Sequence, residues 1–245
     1  MKIADKLKLS VGEDPDFDWS SWFGSMAEQA RHSAVRDYYA GGMISGSTPL
    51  SDVPFVALDF ETTGLNAKQD DIVSIGLVPF TLQRVYCRHA RHWLVQPKTS
   101  LSDESVTIHG IRHSDLNRAP SLIHLLEPLL QDLAGKVVVV HYRYIERHFL
   151  YQILHRRLNE RLIFPLVDTM QIEADIRHQG LRAWWNRVSG GKVASLRLAN
   201  CRTRYGLPGY TAHHALTDAL ATAELFQAQV AHYINPDDPV STYWR

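Results

Sequence analysis

Asp59 and Glu61 are the side chains of this sequence with the clearest capacity for chemistry. They close the apolar run Pro54-Phe55-Val56-Ala57-Leu58 and are followed at once by Thr62-Thr63-Gly64. On a strand, side chains two apart project to the same face, so these carboxylates lie roughly 6–7 Å apart while Phe60 turns to the other side. Two like charges so arranged call for a cation between them. Carboxylate oxygens are the donors that hard divalent ions such as Mg²⁺ prefer, and a pair of such ions can activate a water and stabilise a leaving oxygen in phosphoryl transfer. In a chain with 26 acidic residues an Asp-x-Glu pair also arises by chance, so catalysis requires further groups brought to the same place.

The elements around the pair show how that happens. Val53 to Phe60, Ile72 to Pro79 and Val85 to Gln96 read as strands with Gly and Pro punctuation, which predicts an antiparallel meander. Ser121 to Leu133 repeats leucine at helical spacing and is stopped by Gly135. Val137 to Val140 then reads as a strand buried on both faces, Tyr144 to Leu158 as a helix, Ile163 to Val167 as a short strand and Ala215 to Tyr233 as a closing helix. A meander followed by strand–helix–strand units predicts a mixed sheet with helices on both sides. Glu146 falls just past the carboxyl end of the valine strand, where open α/β sheets collect functional groups. Asp218 falls in the first turns of the last helix, with His213 just ahead of it. An acid near a helix start is also a common stabilising device, so it is the joint arrangement that argues for chemistry.

Composition bounds the possibilities. The 245 residues are 45% hydrophobic and 21% charged, as in an ordinary globular protein with a sizeable core. No apolar run approaches the ~20 residues of a membrane span, and the charged start Met1 to Lys6 is unlike a signal peptide, so the expected location is cytoplasmic, with no membrane partner. Cys87 and Cys201 are too few for a disulfide framework. The formal net charge is zero, yet residues 1–70 are acidic while Arg143, Arg147, Arg156, Arg157, Arg161, Arg177, Arg182, Arg187, Lys192, Arg197, Arg202 and Arg204 crowd the segment 141–204. Such asymmetry can attract phosphates locally, although many of these arginines are expected simply to solvate helix faces. Three regions are expected: an acidic and aromatic N-terminal extension (1–50), a catalytic domain (51–235) and a short tail (236–245). In the extension, Ser25 to Tyr39 reads as one helix. Trp19, Trp22 and Phe23 should pack on the main domain or on a protein partner.

Taken in order, these motifs resemble the DEDDh group of 3′–5′ exonucleases, which includes the epsilon proofreading subunit of bacterial DNA polymerase III and ribonuclease T. Asp59 to Gly64 matches the first motif, Asp-x-Glu-Thr-Thr-Gly, at every position. Ile108-His109-Gly110-Ile111 is similar to the His-Gly-Ile turn, and Val140 to Leu150 to the second motif. Val167-Asp168-Thr169 looks like the family's Asp-Thr, with Asp168 expected to cap or support rather than ligate. His213 and Asp218, five apart, reproduce the third motif, and that spacing selects His213 over His214. Two positions depart from the pattern. Glu146 stands where Asp is usual, and Tyr142 where Asn is usual.

The resemblance covers residues 53–232 and implies a ribonuclease H-like fold. In it, a mixed five-stranded sheet is flanked by helices, here with an extra N-terminal arm. It implies two Mg²⁺ or Mn²⁺ ions held by Asp59, Glu61, Glu146 and Asp218, with His213 as general base. It further implies that Thr62, Thr63, Gly64 and Leu65 receive and wedge the terminal nucleotide, and that the product is a nucleoside 5′-monophosphate. The partner implied is nucleic acid, with DNA favoured. The alternatives are an enzyme that trims RNA 3′ ends and a catalytically silent binding module of the same fold. Trp184 and Trp185 are candidates for base stacking or for local packing. The chain ends soon after its last helix, which predicts a free-standing enzyme or one recruited through residues 1–50.

Overall fold

Strand β1 (Phe55–Thr62) lies at the middle of the molecule, with five of its eight residues buried. A computed structural model describes residues 17–101, 103–178 and 195–245. Trp184, Trp185, Arg182, Arg187 and Lys192 lie outside the described residues. β1 pairs antiparallel with β2 (Ile72–Phe80), and β2 pairs antiparallel with β3 (Arg91–Leu94). On its other edge β1 runs parallel to β4 (Val137–Val140), which runs parallel to β5 (Leu166–Asp168). The order β3-β2-β1-β4-β5 is the expected mixed five-stranded sheet of the ribonuclease H-like arrangement. β4 is four valines, each fully buried, as a parallel strand covered on both faces requires.

Helix α1 (Trp19–Gln29) and helix α2 (Ser33–Ala40) open the described chain. After β3 come the short helices α3 (Asp103–His109) and α4 (His113–Leu116), then α5 (Leu122–Leu133), whose six buried leucines form one face. Helix α6 (Tyr144–Leu158) joins β4 to β5, and α7 (Thr169–His178) leaves β5 directly. Helix α8 (Leu198–Arg204) and the long α9 (Ala215–Tyr233) complete the fold.

Three local expectations are corrected, each for a reason of long-range hydrogen bonding or chain geometry. The single helix over Ser25 to Tyr39 is two helices, broken where the amides of Arg31 and His32 donate to the buried Glu160 carboxylate at 2.7 and 2.5 Å. The fifth strand starts at Leu166 rather than Ile163. The Ile163 carbonyl accepts from Trp22 Nε1 and the Tyr39 hydroxyl, and its amide donates to that same hydroxyl, so the N-terminal helices use the groups a strand would have paired. The third strand is confined to Arg91–Leu94 because Cys87–His89 winds into a 3₁₀ turn.

The aromatic residues of the N-terminal segment are occupied within the chain. Trp19, Phe23 and Tyr39 are buried in the same core as β1 and β4, and Phe23 meets Tyr39 edge-on at 5.0 Å. The C-terminal residues pack beside β5, where Arg245 and Leu166 exchange backbone hydrogen bonds of 2.9 and 3.1 Å. No helix among the described residues is long and apolar enough to cross a membrane.

Candidate active site

Asp59 and Glu61 sit on the last turns of β1's pleat, and α9 brings Asp218 to them. Carboxylate oxygens of the three residues all lie within 4.8 Å of one another. The close approach of α9 depends on a residue that sequence reasoning passed over. Gly76 stands opposite Asp59 in β2, and a Cβ there would overlap the Ala215 carbonyl and the Leu216 nitrogen at the start of α9. A lone glycine inside a strand pattern is the signal that could have found it, since it marks a place where another backbone comes close. Ala215 and Ala219, both fully buried, keep the rest of that contact small.

The three carboxylates lack cationic neighbours. None of them forms an ion pair with Lys or Arg among the described residues. Burial, and then the Glu146, Asp218 and Glu61 carboxylates, hold Asp59 well above the usual carboxylate range. Burial and then Asp218 push Glu61 up to about 7. Asp218 accepts the His214 amide at 3.1 Å, and Tyr210, which sequence reasoning did not single out, lies near it. Burial and that carboxylate raise the Tyr210 phenol, and the Arg202 guanidinium lies 5.1 Å from the centre of its ring.

Glu146 is only 2% exposed and stands beside this group rather than within it. Burial raises its carboxyl far above the usual range, the amides of Glu146 itself and Phe60 oppose that, and Asp168 and Glu61 add to it. One of its oxygens, Oε2, is buried without a hydrogen-bond partner. The second departure, Tyr142, adopts φ 82°, in the left-handed region. Asp168 makes this turn possible by accepting the amides of Tyr142, Arg143 and Met170, each at 3.0 Å. His141 is fully engaged, with Nδ1 2.9 Å from Thr169 Oγ1 and Nε2 2.8 Å from the Leu196 carbonyl oxygen.

His213 is exposed just ahead of α9, also with a left-handed backbone at φ 65°. Its neighbour His109 is held below the ordinary imidazole range by burial and then by His213, and its Nε2 is buried without a partner. His214 instead lies against His92, with ring centres 4.6 Å apart, and His92 Nε2 meets Ser74 Oγ at 2.9 Å.

The turn after Glu61 divides into holding and exposed parts. The Thr63 amide, expected to face a nucleotide, donates to the Asp71 carbonyl at 2.9 Å, and the buried Thr63 hydroxyl meets Asp70 and Thr99 at 3.2 Å each. Thr62 Oγ1 donates to the Gly64 carbonyl at 2.6 Å, and a Cβ on Gly64 would collide with the Asp70 carboxylate. Leu65 is 79% exposed, an apolar side chain held out in solvent at the tip.

Among the described residues, seven arginines of the segment 141–204 are engaged within the molecule. Arg143 pairs with Asp168, Arg156 and Arg157 with Asp71, Arg177 and Arg204 with Glu173, and Arg202 with Glu224. Arg147 donates to the carbonyls of Phe164 and Arg245.

The exonuclease family model matches residues 56–226. The chain belongs to the exonuclease family. Among curated relatives of this exonuclease-family chain is the DNA polymerase III subunit epsilon of Treponema pallidum. It is 28% identical over 186 residues, covering 74% of this chain and 78% of the relative. The PolC-type DNA polymerase III of Thermotoga maritima is 27% identical over 183 residues, 75% of this chain, and there the match spans only 12% of the relative's length. Among solved structures, the nuclease domain of 3′hExo, described as a DEDDh family member bound to rAMP, superposes with a TM-score of 0.60. It is 16% identical and covers 74% of this chain and 93% of that one. That likeness is one of fold.

Proposed function

We propose that this exonuclease-family chain removes nucleotides one at a time from the 3′ ends of single-stranded or frayed DNA, releasing nucleoside 5′-monophosphates. The observation that carries the reading is the gathering of Asp59, Glu61 and Asp218, oxygens within 4.8 Å, with no basic side chain of the described residues paired to them. Hard oxygen donors crowded in this way fit divalent cations, and Glu146, with its unpartnered Oε2, adds a fourth acid beside them. Asp59, Glu61, Asp218 and Glu146 would therefore hold two Mg²⁺ or Mn²⁺ ions. Such ions, when bound, supply polarisation of the phosphoryl group and a lowered pKa for a water.

The chain's own residues then account for the rest. His213, exposed at the mouth and making no hydrogen bond through its ring among the described residues, accepts the proton of the attacking water. The water oxygen bonds to phosphorus, the bond from phosphorus to the 3′ oxygen breaks, that oxygen takes a proton from solvent water, and the shortened strand leaves with a 3′ hydroxyl. Leu65 wedges the terminal base from the exposed tip of the turn, which the holding roles of Thr62, Thr63 and Gly64 keep in place. The names of the polymerase III relatives support DNA as the substrate.

The experiment is cleavage of 3′-labelled and 5′-labelled single strands of DNA and of RNA by the wild-type chain, in Mg²⁺, Mn²⁺ or EDTA. Stepwise shortening from the 3′ end, dependent on metal and faster on DNA, is the expected result. Faster shortening of RNA would replace the substrate with RNA, and a folded protein that cleaves neither polymer would leave a binding module of the same fold.

A further inference from the structure

Three rings form a ladder on the surface at the start of α6, within one turn of Glu146. Tyr142 and Tyr144 lie 5.8 Å apart with planes 24° from parallel, and Tyr144 and His148 lie 3.9 Å apart at 25°. The two tyrosines are 47% and 42% exposed, among the largest exposed apolar groups of the described residues. From this ladder we infer a base-stacking platform for the single strand leading to the scissile phosphate; the inference rests on the exonuclease reading of the adjacent carboxylates.

Several observations favour a ligand over packing. A bulky residue in the left-handed region costs about 1–3 kcal/mol, and Tyr142 takes up that conformation with its side chain half exposed. Asp168 nonetheless fixes the conformation by accepting the two successive amides of Tyr142 and Arg143. The result is a rigid turn that holds a ring out into solvent. Bases of any sequence stack on such rings, because every base has a π-face, and single-strand binding proteins use this to track a strand without reading it. The more familiar alternative, a row of free arginines gripping phosphates, is weakened here by the ion pairs of Arg143, Arg156, Arg157, Arg177, Arg202 and Arg204.

The test is binding, measured in EDTA so that no strand is cut. The probe is a 5′-fluorescein oligothymidylate of about twelve nucleotides, its oligouridylate counterpart, and a version with abasic residues near the 3′ end. The variants are Tyr144→Ala alone, Tyr144→Ala combined with Tyr142→Asn, and Tyr144→Phe. Asn tolerates the left-handed backbone, so the combined variant loses the rings without new strain, and a thermal melt checks that it is folded. The expected result is binding about tenfold weaker for the combined variant on both polymers and nearly unchanged for Tyr144→Phe. The abasic strand should bind the wild type as weakly as the intact strand binds the combined variant, with no further loss when the two are put together. Unchanged binding by the combined variant, or an equal loss on the abasic strand, would overturn the platform. Hydrolysis of the p-nitrophenyl ester of thymidine 5′-monophosphate, which has no upstream base, reads the carboxylate site separately. Its persistence in the combined variant is expected, whereas its absence in the wild type would strike the exonuclease reading and leave the binding result to decide the platform.

Discussion

Acids at two places along α9 are treated in opposite ways. At its first turn Asp218 meets Asp59 and Glu61, with Glu146 beside them, and none of the described Lys or Arg residues pairs with them. Eleven residues on, about 16 Å along the helix, Gln229 reaches Glu173, which also accepts from Arg177 Nε at 3.0 Å, Arg204 Nε at 2.9 Å and the Tyr205 hydroxyl at 2.9 Å. Burial works to raise the Glu173 carboxyl, but Tyr205, Arg177 and Arg204 outweigh it and hold it below its ordinary value. At the other group burial is joined by like charges, and Asp59, Glu61 and Glu146 all rise. The difference teaches how to tell a structural acid from one awaiting a ligand. The same residue type at similar burial is stabilising where the fold supplies the counter-charge and destabilising where it leaves that to something from solution.

Neutralising one acid in each group should therefore act in opposite directions. Asp59→Asn is expected to lower metal-dependent 3′ shortening by about 10³-fold or more, the loss of several kcal/mol of transition-state stabilisation. The same change removes a crowded charge, so the melting midpoint without metal should rise by about 2–4 °C, the equivalent of about 1 kcal/mol in a chain of this size. Glu173→Gln should lower the midpoint instead and spare the activity. It strands Arg177 and Arg204, whose side chains are 33% and 24% exposed, so the cost is about 2 kcal/mol rather than the 3–5 of a fully buried pair. Shortening at 25 °C should then be nearly unchanged. Parallel melts and cleavage rates decide it, and a Glu173→Gln protein that melts normally but has lost activity would collapse the distinction.

Titration sharpens the comparison further. Glu61, pushed up to about 7, holds a proton in the folded chain over a range where the unfolded chain has lost it. The folded state then binds more protons than the unfolded one, so metal-free stability falls as pH rises from the ordinary glutamate range, near ~4.3, through about 7. A divalent cation replaces those protons and binds the ionised site best. Mn²⁺ should accordingly raise the midpoint more at pH 8 than at pH 5.5, as differential scanning fluorimetry would read. An equal rise at the two pH values would mean that the ion binds somewhere other than the raised carboxylates.

Much of this was legible in the sequence, and what was not has a common cause. The apolar run before Asp59, the four valines before Glu146 and the leucine face of α5 are local patterns, and the strands and helices they imply form in the expected order. Three of the four acids come together as the motif order implies. The parts that sequence could not give depend on partners far away along the chain. Glu160 breaks a helix at Arg31 and His32, and Trp22 and Tyr39 take the backbone of Ile163 out of a strand. Of the basic stretch after His141, the sequence cannot say which arginines are paired; Asp71, Asp168, Glu173 and Glu224 take six of the described ones from distant positions in the chain. Gly76 was readable in principle, because glycine within a strand is itself the sign of a close backbone.

Glu146 is the acid whose side of the comparison is least fixed by geometry, and shortening it should give the smallest effect. Like Glu173 it is buried; unlike Glu173 it has an oxygen with no partner and no basic side chain paired to it among the described residues. Glu146→Asp withdraws the carboxylate by about one bond length, ~1.5 Å, and vacates a buried methylene worth about 0.8 kcal/mol. If Glu146 serves the site, the midpoint drops by only a few degrees, and the rate changes less than about tenfold while the ratio of Mg²⁺ to Mn²⁺ activity moves, because Mg²⁺ demands the more exact octahedral geometry. Were Glu146 a structural acid of the Glu173 kind, the same substitution would lower stability and leave the metal ratio where it was. Measuring both quantities on one preparation therefore assigns the residue, since stability falls in either case and only the site role moves the metal ratio.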